Sequence, residues 1–287
     1  MNHKNLIGTA VAAALLFGAQ AVSACAISAW SSATGLAAAD TGEPSASFKR
    51  YSGRCSLRVP NSNSGAGRFV TDTTPNNEAS YRARFYYFTG DITGSSDIFQ
   101  ARNTGGTNII RVAHDGNQLS FTTFNNGSQT AAQNLTVADN KYYSIEISWA
   151  AAAGTGSMTA TVTGNSGNAT SSQVVGTLNF PNLTNAADSI TEARLGLITG
   201  TPTVAAPVFF DEFDSRRTQN PGRLCRADAA SPANNVVNVF DAVAIINDAS
   251  GSTLSTLQPD CNEDGIVNVF DGVCAVAVAG GPSASCL

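Results

Sequence analysis

The sequence predicts a mainly β protein in which an antiparallel β-sandwich is followed by a small module of two short helices. Between residues 45 and 216, apolar and polar residues alternate along many short segments, and Gly, Asn, Asp and Ser separate these segments at intervals of about ten residues. Near the C-terminus, the phrase VVNVFDAV is followed by a near copy, IVNVFDGV. The first pattern is typical of a sandwich or barrel, and the second indicates a duplicated module.

Composition restricts the partners that the chain can bind. The 287 residues carry a net charge of −5, with only 13% charged residues. No basic patch is present that could neutralise phosphates, so we do not expect nucleic acid as a partner. Downstream of the N-terminal segment, the sequence contains a single histidine, His114, which leaves little material for acid–base chemistry.

The N-terminus predicts export. Lys4 precedes a short apolar run over residues 6–17, and small residues at 19–21 and 22–24 provide cleavage sites, so residues 1–24 are predicted to be a signal peptide of a secreted protein. No segment contains about 18 consecutive apolar residues, so no transmembrane helix is expected. The phrase VSAC also resembles a lipobox, which leaves open a lipoprotein that is anchored through Cys25.

The cysteines indicate disulfides. Six remain after cleavage, an even number in an oxidising compartment, so three bridges are expected. Position suggests the pairs Cys25–Cys55, Cys225–Cys261 and Cys274–Cys286, although sequence alone does not determine connectivity. Four of the six lie in the last quarter of the chain, which predicts a separate small module over residues 221–287 after a domain over residues 25–220.

The clearest strand is YYSIEISW. Its alternation places Tyr143, Ile145, Ile147 and Trp149 on one face and its polar residues, together with Tyr142, on the other. The segment SMTATVT repeats the pattern, and no 11-residue window between 45 and 216 has a helical period.

The segments GRCSLRV, YRARFYYF, YYSIEISW and ARLGLITG, followed by VFFDEFDSRR, resemble the concanavalin A-like or laminin G-like jelly roll. The resemblance implies two curved antiparallel sheets. It also implies a carbohydrate-binding or protein-binding role, although some members of the family are glycoside hydrolases.

A hydrolase of this kind needs two carboxyl groups on either side of the scissile bond. The nearest candidates are Asp211, Glu212 and Asp214, of which strand alternation places Glu212 and Asp214 on one face. These acids are also expected to pair with nearby arginines or to hold a structural ion. Glu146 is a weaker candidate, and His114, at the edge of a turn, has no visible nucleophile partner, so no catalytic residue is assigned.

Aromatic residues on the outward face of the predicted sandwich offer a second functional candidate. Tyr86, Phe88 and Tyr142 would be able to stack on sugar rings, or they would pack between strands.

The phrase DCNEDGIVNVFD has the spacing of a calcium loop in a helix–loop–helix hand. Calcium takes six to eight oxygen ligands, which such a loop supplies from alternate positions as the chain wraps around the ion. Here the predicted ligands are Asp260, Asn262, Asp264, the carbonyl of Ile266, Asn268 and Asp271. Gly265 at position 6 permits the sharp turn.

Position 12 of this loop is Asp271, where the usual hand has glutamate. The pattern resembles the dockerin, a duplicated module of calcium loops, and this resemblance implies a cohesin-like protein partner that contacts loop positions 10 and 11. In this chain those positions are Val239 and Phe240 in the first repeat, and Val269 and Phe270 in the second.

The first repeat is incomplete. Aligning the two NVFD phrases gives the ligands Asn234, Val236, Asn238 and Asp241, but places Ala230 and Pro232 at positions 1 and 3. Either Asp228 reaches in across a two-residue insertion, or this loop binds calcium weakly or not at all.

Each loop is followed by an apolar run that predicts one helix. The two helices are expected to bury Val243, Ile246, Val273 and Ala277 in a shared core. The phenylalanines at position 11 are expected either to be exposed for docking or to pack inward.

Three functions remain compatible with the sequence. The favoured one is a secreted, non-catalytic protein whose sandwich binds a glycan or surface ligand and whose calcium-binding tail docks a partner. The alternatives are a polysaccharide-degrading hydrolase with a docking tail, and a structural surface protein whose calcium module only stabilises its end.

Overall fold

The computed structural model describes residues 27–36, 49–53, 55–60, 66–164, 174–199, 203–204, 207–253, 255 and 257–281. The predicted signal peptide over residues 1–24, Cys25 with its possible lipid anchor, and Cys286 lie outside the described residues. Among the described residues, no helix is long and apolar enough to cross a membrane.

The described chain is mainly β, as predicted, with a 3-10 turn at Ile27–Ala29 and two helices near the C-terminus. The strands are β1 (Ser32–Thr34), β2 (Leu57–Val59), β3 (Arg68–Asp72), β4 (Ser80–Phe88), β5 (Ile92–Thr93), β6 (Ser95–Arg102), β7 (Asn108–Asp115), β8 (Gln118–Asn125), β9 (Ser128–Thr136), β10 (Tyr142–Ala150), β11 (Gly156–Gly164), β12 (Val174–Leu183), β13 (Glu192–Leu197), β14 (Thr203–Val204) and β15 (Val208–Arg216). The helices are α1 (Val239–Ala249) and α2 (Val269–Ala279).

Two antiparallel sheets form the sandwich. The larger has the order β1-β3-β13-β6-β7-β8-β9, and the smaller has the order β12-β11-β10-β4-β15-β2. Neighbouring strands such as β10 and β11 pair in continuous register, with Ile147 opposite Ala160 and Trp149 opposite Met158. The prediction of a β-sandwich with a small helical module is confirmed.

The main core lies between the two sheets, and strand alternation determines which residues enter it. Ile145, Ile147 and Trp149 on β10 are at most 1% exposed and pack with the inward residues of the facing sheet. The intervening Glu146 and Ser148 are half-buried on the other face. The predicted inward stripe of this strand is therefore confirmed.

The outward face of β4 and β10 is not open to solvent at one end. Tyr86, Phe88 and Tyr142 are at most 3% exposed and form a second cluster with Tyr51 and Phe209. Of the two alternatives for these outward aromatics, packing is confirmed and stacking on sugars is wrong, because the segment before β2 and the C-terminal module cover them.

The C-terminal module binds the sandwich through polar contacts as well. Nη2 of Arg50 donates to both carboxylate oxygens of Asp248 at 2.7 and 2.6 Å, and both side chains are buried. The main-chain nitrogen of Tyr142 donates to the carbonyl of Glu263 at 3.2 Å. Arg223 and the hydroxyl of Tyr51 both donate to the Glu263 carboxylate.

The two helices begin in the same way. Asn238 and Asn268 are the N-cap residues, and each accepts a hydrogen bond from the backbone of the phenylalanine two residues later. Asp241 and Asp271 each complete a capping box by accepting from the N-cap backbone. The duplicated phrase therefore encodes a duplicated helix start.

The residues predicted to be buried on the two helices are wrong, because the buried face is rotated by part of a turn from the predicted one. Val243, Ile246 and Val273 are about half exposed, and Ala277 is exposed. The buried residues are instead Ala242, Ile245, Cys274, Ala275 and Val278. The acids at the helix starts point inward to the loops, so the helical period places the residues after them in the core and the phenylalanines outside.

The predicted disulfide pairs in the last quarter are also wrong. Cys261 in the second loop is bonded to Cys274 in α2, so neither Cys225–Cys261 nor Cys274–Cys286 forms. This bond fixes the second calcium-type loop to its own exit helix. Cys55 and Cys225 are disulfide-bonded as well.

Candidate functional site

The second loop folds around two buried carboxylates. Asp260 is fully buried, and its two oxygens accept hydrogen bonds from the main-chain nitrogens of Asp264 at 3.1 Å and Gly265 at 2.7 Å. Asp271 is also fully buried and accepts from the nitrogens of Asn262 at 3.1 Å and Asn268 at 2.8 Å. The first and last predicted ligands therefore hold the loop closed from opposite ends.

The carboxylates of this loop repel one another. Burial, followed by the charges of Asp271 and Asp264, raises the pKa of Asp260 well above its ordinary value. Burial also raises the pKa of Asp271 to about 6. A cation held among these groups would favour their ionised forms and lower both pKa values.

Gly265 is required for two reasons. Its φ of +79° lies in the left-handed region, which glycine adopts without strain. In addition, a Cβ placed on it would lie 2.6 Å from Cε2 of Phe88 in the sandwich. The second loop is therefore packed directly against the sandwich at its sharpest turn.

The first loop has the same hydrogen-bond pattern. Oδ2 of Asp228 accepts from the nitrogens of Asn234 at 3.1 Å and Asn235 at 2.8 Å, as Asp260 accepts from the equivalent pair in the second loop. Asp241 accepts from Ala230 at 2.8 Å and from the N-cap nitrogen at 2.8 Å, as Asp271 does. Asn235, with a φ of +57°, takes the left-handed turn that the second loop gives to glycine.

Of the two alternatives that the sequence leaves open, the structure supports the one in which Asp228 reaches in at position 1. Asp228 is 4% exposed, and its Oδ1 is buried without a hydrogen-bond partner among the described residues. Burial raises its pKa. In the sequence, an aspartate begins both repeats, in RADAASPANN and in QPDCNEDG. This shared aspartate indicates position 1 of the first loop, but the two-residue insertion after it shifts it out of the alignment.

The donor set of both loops suits a hard cation such as calcium, which prefers carboxylate, amide and carbonyl oxygens. Among the described residues, however, no three His, Cys, Asp or Glu side chains are grouped closely enough to hold a metal by themselves. An ion here would also need the side chains of Asn262 or Asn234 and the carbonyls of Ile266 or Val236. Among the described residues, Oδ1 of Asp228 is the one buried side-chain oxygen of these loops that lacks a hydrogen-bond partner.

The outer surface of the two helices is apolar. We define the apolar face as Val239, Phe240, Val243, Ile246, Val269, Phe270, Val273 and Val276, all of which are 46–72% exposed. Phe240 and Phe270, at 72% and 66%, are the most exposed of them, so the alternative that the phenylalanines pack inward is wrong. The acids of both helices, Asp241, Asp248 and Asp271, are buried, so the apolar face carries no charge.

The acids of DEFDS lie on β15, where the strand is irregular. The pairing with β4 shifts between Asp211 and Asp214, and Glu212 has a φ of +50°. This bulge breaks the alternation that placed Glu212 and Asp214 on one face, and all three acids instead line one cavity. Asp214 pairs with Arg216 at 2.8 Å, as expected from the sequence.

This β15 cavity has a volume of about 420 Å³ and opens beside the turn at Ile27–Ala29. It is bounded by Trp30 and Phe213, whose ring centroids are 4.9 Å apart, and also by Asp72. Burial and the charge of Glu212 raise the pKa of Asp211 to about 7. No sequence pattern indicated Trp30, Asp72 or Phe213, which meet only in the folded chain.

The side chains of the two remaining candidates, His114 and Glu146, contact other parts of the fold. His114 is the penultimate residue of β7, just before the hairpin turn, as expected, and it is buried, with Nδ1 2.8 Å from the hydroxyl of Tyr87. Burial lowers its pKa to about 4. The carboxylate of Glu146 accepts from the side chain of Asn220 at 2.9 Å and the nitrogen of Gly222 at 2.7 Å. Both residues therefore connect elements of the fold.

No family model matches the chain, and no curated protein matches it by sequence. Among solved structures, the chain is similar to the botulinum neurotoxin type G receptor binding domain, with 14% identity over 62% of this chain and 42% of that one and a TM-score of 0.39. It is also similar to the binding domain of botulinum neurotoxin DC in complex with rat synaptotagmin II, with 11% identity over 61% of this chain and 41% of that one and a TM-score of 0.42.

A further similar structure is the cellulose induced protein Cip1, with 16% identity over 61% of this chain and 86% of that one and a TM-score of 0.44. The chain thus spans less than half the length of the toxin binding domains that it matches. At these identities and TM-scores, the likeness carries no inference about function.

Proposed function

We propose that the protein is a non-catalytic binding protein with two recognition surfaces. The C-terminal module holds calcium in its two loops and docks a protein partner through the apolar face, and the sandwich binds a carbohydrate in the β15 cavity. The observation that carries the proposal is the apolar face, because Phe240 and Phe270 are exposed at the same position of two repeats.

Calcium supports docking by fixing both helices. The ligands at position 12, Asp241 and Asp271, are also the capping residues of α1 and α2. An ion that binds these carboxylates would therefore hold the first turn of each helix, where the exposed phenylalanines lie. Calcium supplies positive charge to the buried carboxylates, and the chain's own residues orient the two helices.

The partner that fits this surface is apolar and uncharged at its centre. Monomeric soluble proteins rarely expose a large contiguous apolar patch, and such patches mark interaction sites. The dockerin-like pattern of the two loops makes a cohesin-like protein the leading candidate, and large aromatic anchors are the residues that dominate such interfaces.

The carbohydrate role of the sandwich is supported by the β15 cavity. Pockets for small ligands occupy about 300–1,000 Å³ and combine aromatic walls with a few polar groups. The cavity has both features in Trp30 and Phe213 and in its carboxylates. Because Tyr86 and Tyr142 are buried, Trp30 is the aromatic residue that we propose to contact the sugar ring.

Two comparisons test this proposal. Immobilised protein should capture a partner from the culture medium in calcium but not in chelator, and the double variant Phe240→Ser/Phe270→Ser should capture none while its melting temperature is unchanged. The control variant Val174→Ser removes an exposed valine of the sandwich and should bind normally. Capture that is equal for all three proteins would refute docking through the apolar face.

A second candidate function, glycoside hydrolysis, is favoured by one observation. Asp211, with its pKa of about 7, and the strained Glu212 line the same cavity, and perturbed acids in a cavity are typical of catalytic sites. If the protein hydrolyses a polysaccharide, Glu212→Gln should abolish that activity while binding remains. Binding without any turnover in the wild type would exclude the hydrolase.

A further inference from the structure

The β15 cavity has an unusual balance of charge. Four of its lining residues are acidic, and no lysine or arginine of the described chain lines it. The acids are Asp72, Asp211, Glu212 and Asp214. A ligand that enters this cavity meets carboxylates and no cationic side chain among the described residues.

Two of these carboxylates are already balanced by arginines outside the cavity. Asp214 pairs with Arg216 at 2.8 Å, and Glu212 lies 3.8 Å from Arg84. Such partly exposed pairs are weak, but they reduce the local charge.

Asp72 and Asp211 have no ion-pair partner in the part of the chain that the structure describes. Asp72 accepts one hydrogen bond, from the nitrogen of Thr74 at 2.8 Å. Asp211 accepts three main-chain hydrogen bonds, from Tyr51, Ser52 and Glu212, and burial raises its pKa to about 7, so at pH 6 it is largely protonated and adds little charge to the cavity.

The cavity also has an aromatic lining. Trp30 and Phe213 are partly buried, and their rings meet at an angle of 42° with centroids 4.9 Å apart. A tryptophan face attracts a cation as well as an apolar surface. The cavity thus presents an aromatic surface and the uncompensated carboxylate of Asp72 to the same ligand.

From this combination, we infer that the β15 cavity binds an amino sugar whose amine is protonated, such as a unit of a glucosamine polymer. This inference rests on the proposed carbohydrate-binding role of the sandwich. The sugar ring would pack on Trp30, and the ammonium would bind the carboxylate of Asp72. A neutral sugar would leave this charge uncompensated, whereas an ammonium forms charge-assisted hydrogen bonds with it.

Three tetrasaccharides with the same backbone but different substituents at carbon 2 test the inference. Calorimetry at pH 6 would measure binding of the β-1,4-linked tetramers of glucosamine, N-acetylglucosamine and glucose to the intact protein with calcium. We expect the glucosamine tetramer to bind at least about tenfold more tightly than the other two, which is the effect of one charge-assisted hydrogen bond.

Variants separate the cavity from general attraction between an acidic protein and a cationic sugar. Asp72→Asn and Trp30→Ala should each weaken binding of the glucosamine tetramer by about tenfold or more. The control Asp115→Asn removes one exposed carboxylate at the end of β7 and should bind as the wild type does. A melting curve for each variant verifies that it is folded.

The outcomes distinguish this inference from the proposed function. If the three tetramers bind equally, the sandwich binds carbohydrate but the preference for an amine is wrong. If Asp72→Asn and Asp115→Asn weaken binding to the same extent, the attraction is nonspecific and the inference is overturned. If none of the tetramers binds, the inference is wrong, and a glycan array then decides whether the carbohydrate role also fails.

Discussion

The buried ion pair between Arg50 and Asp248 predicts that the sandwich and the C-terminal module unfold together. The two side chains are 2% and 1% exposed, and Arg50 donates to both oxygens of Asp248. Removing one partner of a buried pair leaves an uncompensated charge and costs about 3–5 kcal/mol. We therefore expect Arg50→Met and Asp248→Asn each to lower the free energy of unfolding by about this amount.

The double variant Arg50→Met/Asp248→Asn removes both charges. The amide that replaces the carboxylate keeps an acceptor for the nitrogen of Ser255, which donates to Asp248 in the wild type. The free energy of unfolding that the double variant loses should be smaller than the sum of the two single losses by about 2 kcal/mol, within the range for residues in contact.

Urea unfolding in saturating calcium, followed by tryptophan fluorescence, measures the free energy of unfolding of the wild type, the two single variants and the double variant. The exposed pair of Arg216 and Asp214 is the matched control, and Arg216→Met should cost less than about 1 kcal/mol. Additive single costs would refute the buried contact.

Three further predictions concern single positions. Ile147→Asp should unfold the sandwich by burying an unpaired charge, whereas Ser148→Asp on the other face should be mild; equal losses in thermal melts would mean that the alternation is wrong. Gly265→Ala should lower both the melting temperature and the calcium affinity, because position 265 has a positive φ and no room for a Cβ beside Phe88. Asn235→Gly should lower neither, and a Gly265→Ala variant with unchanged values would contradict the packing. Asp211 has a folded pKa of about 7, raised from 3.8, so it keeps its proton in the folded state where the unfolded chain has lost it. Stability should therefore fall as pH rises across that interval, and Asp211→Asn should flatten the fall; parallel pH profiles for both proteins would oppose this account.

The strands could be predicted from the sequence because their signal is local. The alternation of β10 is contained within one segment, and the pattern of turn residues needs no tertiary information. The pattern does not say what covers the outward face. Tyr86 and Tyr142 were therefore predicted to lie on an exposed face, and only the position of Glu263 and the segment at Tyr51 shows that they are buried.

The turn of the second loop could be predicted because each position of the expected calcium pattern has its own residue. The first loop could be predicted only in part, since an insertion moved Asp228 out of the alignment while the hydrogen bonds to Asn234 and Asn235 preserved its role. Cysteine connectivity depends on which positions meet in space, so the bond between Cys261 and Cys274 could not be derived from spacing.

The β15 cavity was beyond sequence reasoning for a different reason. A glutamate at positive φ is uncommon, so nothing in DEFDS indicates that Glu212 bends the strand. The bend brings the acids next to Trp30, which is far away in sequence and lies outside every strand of the described chain.

Calcium titration of the intact protein by calorimetry tests the central claim most directly. The matching hydrogen bonds of Asp228 and Asp260 predict two calcium ions per chain, with Asp228→Ala and Asp260→Ala each removing one and the double variant binding none. Calcium should also raise the melting temperature of the wild type by mass action. A wild type that binds no calcium, or a double variant that still binds two ions, would contradict the account.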